Sequence, residues 1–137
     1  MSYGTHNTVI HDNIITDISG NGITAYTDHE NANPSEDHMS LNDVISQNRI
    51  NRVGQEYTGC VGIVATYPRG ILIENNEIWN IPNTGINLGW GWTSEVTALR
   101  DNIVRYNDIH HVMQLHADGA GIYTLSDQPG THILENH

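Results

Sequence analysis

The chain has 137 residues, the usual size of a single domain, and it carries 16 acidic residues against five arginines and no lysine. The formal net charge of -11 excludes nucleic acid as an expected partner, because binding phosphates requires clustered Lys and Arg. The same charge argues against docking on an anionic membrane surface, and no apolar run approaches the roughly 20 residues that span a bilayer.

The commonest residues are those of short strands and tight turns. The chain contains 17 isoleucines, 16 asparagines and 13 glycines, but no phenylalanine. Isoleucine favours strands, whereas asparagine and glycine favour sharp turns and left-handed backbone positions. The composition therefore predicts an all-β chain made mostly of short strands.

A string of the form apolar-x-x-Asn-x-Ile recurs along the chain. The complete copies carry the following asparagines: Asn13, Asn48, Asn76 and Asn107. A fifth copy begins at Ile133 and is cut off after Asn136. A Gly-Ile pair follows each complete copy, with these glycines: Gly22, Gly62, Gly85 and Gly121. A period of about 30 residues with strand composition predicts a right-handed parallel β-helix, a solenoid with one repeat in each turn.

The repeats predict about four complete turns, near residues 7–41, 42–69, 70–100 and 101–130, and the start of a fifth at 131–137. We expect the isoleucines to stack inward and the asparagines to form a ladder of side-chain amides. The glycines are expected to let the chain bend sharply into the next strand. Because no capping helix precedes the first repeat and the last repeat is incomplete, we expect a fragment whose partner is the rest of a longer β-helix.

Insertions in the repeat flank the strand that follows each Gly-Ile pair. Polar segments at 27–43 and 89–102 follow this strand, and segments at 49–59 and 109–119 precede it. Loops along both margins of one sheet would wall a groove, and solenoids tend to carry their function on such a face. We therefore place the candidate site on the outward face of this sheet.

Aromatic residues cluster at the ends of the same strands. Trp90 and Trp92 lie beside glycines, and Asn87 faces outward on the preceding strand. Three tyrosines close other strands of the sheet: Tyr26, Tyr67 and Tyr123. An exposed tryptophan is a good platform for the apolar face of a sugar ring. Equally, the tryptophans could only cover the sheet beneath a loop.

The densest set of titratable groups consists of His110, His111, His116 and Asp118. Three interpretations stay open for Asp118. It could be a general acid or nucleophile under a loop, a metal ligand together with His116, or a turn residue that caps backbone amides. No recognisable set of three or four zinc ligands is present, so we predict no metal site here.

The acidic segment 28–43 is a candidate for calcium, because calcium prefers oxygen ligands. Its carboxylates are the following: Asp28, Glu30, Glu36, Asp37 and Asp43. A solvated acidic face is the simpler interpretation, and we expect no cofactor. The single cysteine, Cys60, excludes an internal disulfide and is interpreted as a small core residue.

Two segments, TGINLGWGW (84–92) and ADGAGIYTLSDQPGTHILEN (117–136), resemble the secreted right-handed β-helix glycoside hydrolases. The resemblance is closest to family 141, which includes α-L-fucosidases and xylanases. In that family a Gly-Trp-Gly-Trp strand end recurs, as does an Asp-Gly-Gly-Gly-Ile-Tyr-Thr-Leu segment followed by Gln-Pro-Gly-Thr. Here Ala120 replaces one glycine, and Asp118 and Tyr123 are retained. The resemblance implies parallel β-helix (PbH1) repeats of the pectin lyase-like fold.

The resemblance also implies an extracellular or periplasmic enzyme that hydrolyses a plant-type polysaccharide or oligosaccharide with a pair of carboxylates. Asp118 is the first candidate. Glu56 is the second, because it lies in the matching insertion two turns earlier. Two turns span about 10 Å, slightly more than the roughly 6.5–9.5 Å of inverting pairs. The candidate sugar-binding residues are Trp90, Trp92, Tyr123, His116, His111 and Asn87.

Two other functions remain open. A calcium-dependent, pectate-lyase-like polysaccharide lyase would need Lys or Arg beside its acidic ligands, and no arginine accompanies Asp118 in the sequence. A non-catalytic glycan-binding solenoid would need only the aromatic groove.

Overall fold

A computed structural model of the chain describes residues 4–25 and 31–137. Within these residues the backbone forms short strands, three in each turn of the chain. The first turn contains β1 (Val9–His11), β2 (Ile14–Ile18) and β3 (Ile23–Ala25). The second contains β4 (Val44–Ser46), β5 (Arg49–Val53) and β6 (Ile63–Ala65). The third contains β7 (Leu72–Glu74), β8 (Glu77–Trp79) and β9 (Ile86–Leu88). The fourth contains β10 (Ile103–Arg105), β11 (Asp108–His110) and β12 (Ile122–Thr124), and β13 (His132–Leu134) follows.

Strands of successive turns pair in parallel and form three sheets along the stack. The first sheet has the order β1-β4-β7-β10-β13, the second β11-β8-β5-β2, and the third β12-β9-β6-β3. Neighbouring turns therefore lie about 4.8 Å apart. This arrangement is a parallel β-helix of about four turns, and it confirms the fold predicted from the repeat.

Isoleucines from all three sheets fill the interior. Inward isoleucines of the second and third turns pair in register, as Ile50 lies against Ile78 and Ile63 against Ile86. All four side chains are fully buried. Burial of apolar surface is worth about 25 cal/mol per Å², so these stacks supply the main non-directional stabilisation of the fold.

The asparagine of each repeat lies at the corner between the first and second sheets. Asn76 is buried and donates from Nδ2 to Oδ1 of Asn107 at 2.9 Å and to the carbonyl of Ile45 at 3.0 Å. Its own Oδ1 accepts from the Nδ2 and the backbone N–H of Asn48, both at 3.0 Å. The same amide-to-amide bonds link all five asparagines: Asn13, Asn48, Asn76, Asn107 and Asn136. The predicted ladder is confirmed.

Each turn also bends at two corners, near the start and the end of its strand in the second sheet, where one residue has a positive φ. The residues before the ladder have φ values of 50–56°: Asp12, Gln47, Asn75, Tyr106 and Glu135. Near the ends of the strands of the second sheet, the following residues have φ of 51–56°: Asp17, Arg52, Asn80 and His111. Left-handed conformations are unusual for residues such as Tyr and Arg, so the stack, more than local preference, imposes these corners.

The glycines of the Gly-Ile pairs do not form the sharp bend that the sequence predicted for them. Gly22, Gly62 and Gly85 are not among the residues with positive φ. A Cβ on Gly62 would instead lie 2.5 Å from the carbonyl oxygen of Gly85 and 2.7 Å from Cγ2 of Ile78. Glycine is needed here because the next turn passes too close for any side chain.

The segment after β3 packs across the turns beside it. Met39 is buried in the core, and the carbonyl of Ala32 accepts the backbone N–H of Ala98 at 2.8 Å. The helical structure in the described residues is a short 3₁₀ turn at Glu36–His38, so none of it is long and apolar enough to cross a membrane.

Replacing Asn76 by Ala is expected to destabilise the fold by about 3 kcal/mol or more, because it leaves buried groups of Asn48 and Ile45 without their partners. Urea denaturation measures the change. Asn13→Ala, at the exposed end of the same ladder, is the matched control and should cost about 1 kcal/mol or less. Equal losses for the two variants would contradict the role of the buried ladder.

Candidate functional site

A groove of about 360 Å³ lies on the outward face of the third sheet. Its floor contains Val64, Asn87 and Tyr123, which are neighbours in register on β6, β9 and β12. The floor is therefore made of one residue from each of three successive turns. The structure confirms the groove that the positions of the insertions predicted.

Two walls flank this floor. The residues that precede the strands form one wall: Asn21, Gly59, Cys60, Val61, Asn83, Thr84 and Asp118. The residues that follow the strands form the other: Trp90, Trp92 and Leu125. Each intervening strand has three residues and spans about 10 Å. Asp118 and the tryptophans consequently lie on opposite sides of the groove.

Hydrogen bonds between turns hold the wall that carries Asp118. Nδ2 of Asn83 donates to the carbonyl of Gly59 at 2.8 Å, and the N–H of Ala120 donates to Oγ1 of Thr84 at 3.3 Å. A Cβ on Gly119 would lie 2.5 Å from Oγ1 of Thr84, so this backbone packs directly on the neighbouring turn. The position of Asp118 is thus fixed by the residues that follow it.

Asp118 is exposed and contacts the floor of the groove. Tyr123 Oη donates to Asp118 Oδ1 at 3.4 Å, and Oδ2 has no hydrogen bond to any described residue. Among the described residues that line the groove, Asp118 is the one carboxylate. A carboxylate that lines a groove and has an oxygen without a described hydrogen-bond partner can exchange a proton with a bound substrate or attack it.

The opposite wall is an arm formed by residues 89–92, which we call the tryptophan arm. Gly89 and Gly91 have φ values of 103° and 76°. Trp90 is 43% exposed and Trp92 is 83% exposed. Ser126 Oγ lies 2.7 Å from the carbonyl oxygen of Trp90 and 3.0 Å from that of Gly91, and donates to them. The arm leaves the third turn but is held by the fourth.

A second contact from the fourth turn fixes the base of the arm. Gln128 Nε2 donates to the carbonyls of Leu88 at 2.9 Å and Leu125 at 3.0 Å. Beneath the arm, a Cβ on Gly91 would lie 3.1 Å from Tyr67 Oη. Tyr67 is buried, and this burial raises the pKa of its phenol.

Five of the eight predicted site residues line this groove: Asp118, Trp90, Trp92, Tyr123 and Asn87. The other three do not. Glu56 is exposed on the insertion between β5 and β6. His116 Nε2 lies 3.2 Å from Thr58 Oγ1 and joins two insertions. His111 occupies a left-handed corner, with its Nδ1 2.7 Å from Nδ1 of His110. The roles assigned to all eight residues stay predictions.

Several groove residues were not identified from the sequence. Asn21, Val61 and Thr84 each directly precede the glycine of a Gly-Ile pair, so alignment of the repeats on that glycine is the signal that finds them. Cys60, interpreted as a core residue, is half-buried in the groove wall, and burial raises the pKa of its thiol.

Part of the predicted acidic segment and one predicted aromatic residue lie outside the described residues: Asp28, Glu30 and Tyr26. Within 4–25 and 31–137, no group of three or more His, Cys, Asp or Glu side chains is arranged to hold a metal ion. The interpretation of segment 28–43 as a solvated acidic face stays a prediction.

A comparison with solved structures gives the protein's relationship. The chain is similar to part of a protein named "Glycoside hydrolase", with a TM-score of 0.90 and 37% sequence identity over 96% of this chain. This chain spans 23% of the length of that protein. No family model matches the chain, and no curated protein matches it. The chain is a glycoside hydrolase-like β-helix.

Removal of the Ser126 hydroxyl is expected to loosen the tryptophan arm and uncover Tyr67. The pKa of Tyr67 should then fall toward the ordinary phenol value of about 10. Ultraviolet titration of tyrosinate measures this shift, with Tyr67→Phe to assign the transition.

Two substitutions are compared because Ser126 has a φ of 64°. Ser126→Ala keeps the strained left-handed backbone of the wild type, whereas Ser126→Gly relieves it. The same fall in both variants would identify the hydroxyl as the cause. An unchanged Tyr67 pKa in both would show that Ser126 does not hold the arm.

Proposed function

We propose that this chain is the part of a glycoside hydrolase β-helix that binds the sugar and supplies at least one of the two catalytic carboxylates. The observation that carries the proposal is the placement of Asp118 and two exposed tryptophans on opposite walls of one groove. The 37% identity to a protein named "Glycoside hydrolase" supports it. The motifs around Trp90 and Asp118 further support an enzyme of the family 141 type that acts outside the cell or in the periplasm.

The tryptophan arm would hold the substrate. Trp90 and Trp92 present large apolar surfaces to the groove, on which the apolar face of a sugar ring can stack. Asn87 lies on the floor between the walls, where its amide can hydrogen-bond a sugar hydroxyl. Fixing the ring against the arm orients the glycosidic bond relative to Asp118, and such positioning lowers the barrier to reaction.

Asp118 would perform one of two steps in glycoside hydrolysis. As the general acid it gives a proton to the leaving glycosidic oxygen while water adds to the anomeric carbon. As the nucleophile it bonds to the anomeric carbon while the glycosidic C–O bond breaks and the second carboxyl group protonates the leaving oxygen. Water, deprotonated by that second group, later displaces Asp118. Both routes need a second carboxylate. Glu56 is the candidate within this chain, on the insertion whose residues Gly59 and Cys60 form the wall beside Asp118.

A non-catalytic glycan-binding role is the second candidate. The groove residues in the described part of the chain include one carboxylate, Asp118, whereas hydrolysis uses two. The tryptophan arm alone would suffice to bind a glycan.

Asp118→Asn is expected to lower kcat by about 10²–10⁴-fold, because it removes proton transfer or nucleophilic attack but keeps the shape of the side chain. Release of new reducing ends from plant cell-wall glycans measures the rate, in the longest protein that contains these residues. Asp108→Asn is the matched control, since Asp108 is exposed on the second sheet away from the groove.

Three outcomes separate the candidates. Loss of turnover in Asp118→Asn alone, with binding retained, supports the hydrolase. Activity that survives Asp118→Asn contradicts the proposed role of this residue. Binding without turnover by the wild-type protein on every glycan would favour the binding solenoid.

Trp92→Ala is expected to weaken glycan binding by about tenfold, near 1.4 kcal/mol, through loss of the stacking surface. Its stability should hardly change, because Trp92 is 83% exposed. Isothermal calorimetry and thermal denaturation measure the two effects. Tyr57→Ala removes another exposed aromatic ring outside the groove and is the control. A loss of stability with unchanged binding would mean that Trp92 only covers the sheet.

A further inference from the structure

Every arginine of this chain forms an ion pair away from the groove. The chain has five arginines and no lysine. The pairs are Arg49–Glu77 at 2.8 Å, Arg52–Asp17 at 2.8 Å, Arg69–Glu36 at 3.4 Å, Arg100–Asp101 at 3.7 Å and Arg105–Glu74 at 2.8 Å. None of the five lines the groove. No Lys or Arg of this chain can therefore neutralise an acid bound there.

The part of the groove that the structure describes carries a negative charge. Among residues 4–25 and 31–137, its lining contains Asp118 and otherwise uncharged residues, within a chain of net charge -11. A uronate in this groove would bring a second carboxylate near Asp118 without a cation to offset it. It would also lose part of its hydration, which is costly for an unpaired charge. Juxtaposed like charges weaken binding strongly and so exclude wrong ligands.

The polar groups of the lining instead match uncharged hydroxyls. Nδ2 of Asn87 donates to the carbonyl of Gly89, and Oδ1 of Asn87 has no hydrogen bond to any described residue. Oδ1 of Asn21 accepts a hydrogen bond from the backbone N–H of Val61, and Nδ2 of Asn21 has no hydrogen bond to any described residue. The groove thus offers an acceptor and a donor, and a sugar hydroxyl can both donate and accept.

We infer that the groove selects neutral sugars and discriminates against uronates. This inference rests on the proposed function, since it names the class of glycan that the same site takes. The selectivity comes from the negative charge of Asp118 together with the absence of a Lys or Arg side chain from the groove lining. It also opposes a lyase that acts on uronates, whose carboxylate must be neutralised during proton abstraction.

A cation placed in the wall should relax the selectivity. Val61 lines the groove, is partly exposed, and contributes no polar side-chain atom. Val61→Lys would set an ammonium group on a long flexible stem at the edge of the groove. Val61→Gln is the matched control, because it adds a long polar side chain without charge.

The test uses pairs of oligosaccharides that differ only in charge. Each pair consists of a uronate oligosaccharide and its carboxyl-reduced, neutral form, prepared from several plant polysaccharides. Tryptophan fluorescence titration gives Kd for the wild type, Val61→Lys and Val61→Gln at low and high salt, in the longest protein that contains these residues. We expect the neutral member to bind at least about tenfold tighter at low salt, with a smaller ratio at high salt because salt screens the repulsion.

The variants sharpen the result. Val61→Lys should reduce the ratio several-fold, and Val61→Gln should leave it unchanged. Equal or tighter binding of the uronate member by the wild type would overturn the inference and leave the proposed function standing. Failure to bind any member of any pair would overturn the proposed function, and the inference with it.

Discussion

The register of each turn on the next is the constraint on which the rest of this molecule depends. Apolar stacks are non-directional and would tolerate some sliding of one turn over another. The asparagine ladder does not tolerate it, because Asn76 satisfies buried groups of Asn48, Ile45 and Asn107 at once. A slip by one residue would leave all of these groups unpaired in the interior, where an unmade hydrogen bond is costly. The ladder therefore restricts the stacked turns, which apolar contacts alone would hold in several registers, to a single register.

That register is what allows a site to be assembled from separate turns. The groove floor takes Val64, Asn87 and Tyr123 from three consecutive turns, and their spacing follows directly from strand pairing. The walls of the groove are likewise held by contacts between residues of different turns. Ser126 holds the tryptophan arm from the turn above it, and Asn83 holds Gly59 in the turn below. The rigid solenoid thus positions loops that could not hold these geometries alone.

The sequence predicts the fold well because the repeat is itself the physical cause of stacking. The five ladder asparagines make the same contact in successive turns, and Gly22, Gly62 and Gly85 each lie against the backbone of the next turn, so each marker reports one geometry. The groove was predictable for the same reason, since the positions of the insertions follow from the repeat. Residues within the insertions were not, because their contacts depend on how loops from different turns meet. His116 contacts Thr58 across 58 positions of sequence, and no local pattern anticipates that.

Two further features were not predicted from the sequence, for a different reason. Gln47 and Tyr106 take left-handed conformations that their residue types disfavour. Their left-handed backbone is imposed by their position in the repeat, just before the ladder asparagine. The conformational preference of the residue type alone therefore does not predict this corner. Cys60 was misplaced because its position before a buried strand looks like core, whereas its turn opens onto the groove.

Cys60 offers the most direct test of whether the groove binds glycan. It is the single cysteine of the chain and lies in the groove wall. Its alkylation rate can be followed by mass spectrometry, at alkaline pH because burial raises the pKa of the thiol. A neutral oligosaccharide that saturates the protein should slow alkylation at least about tenfold, in proportion to the occupied fraction. An alkylation rate unaffected by a saturating glycan would show that sugar binds elsewhere and would contradict the account.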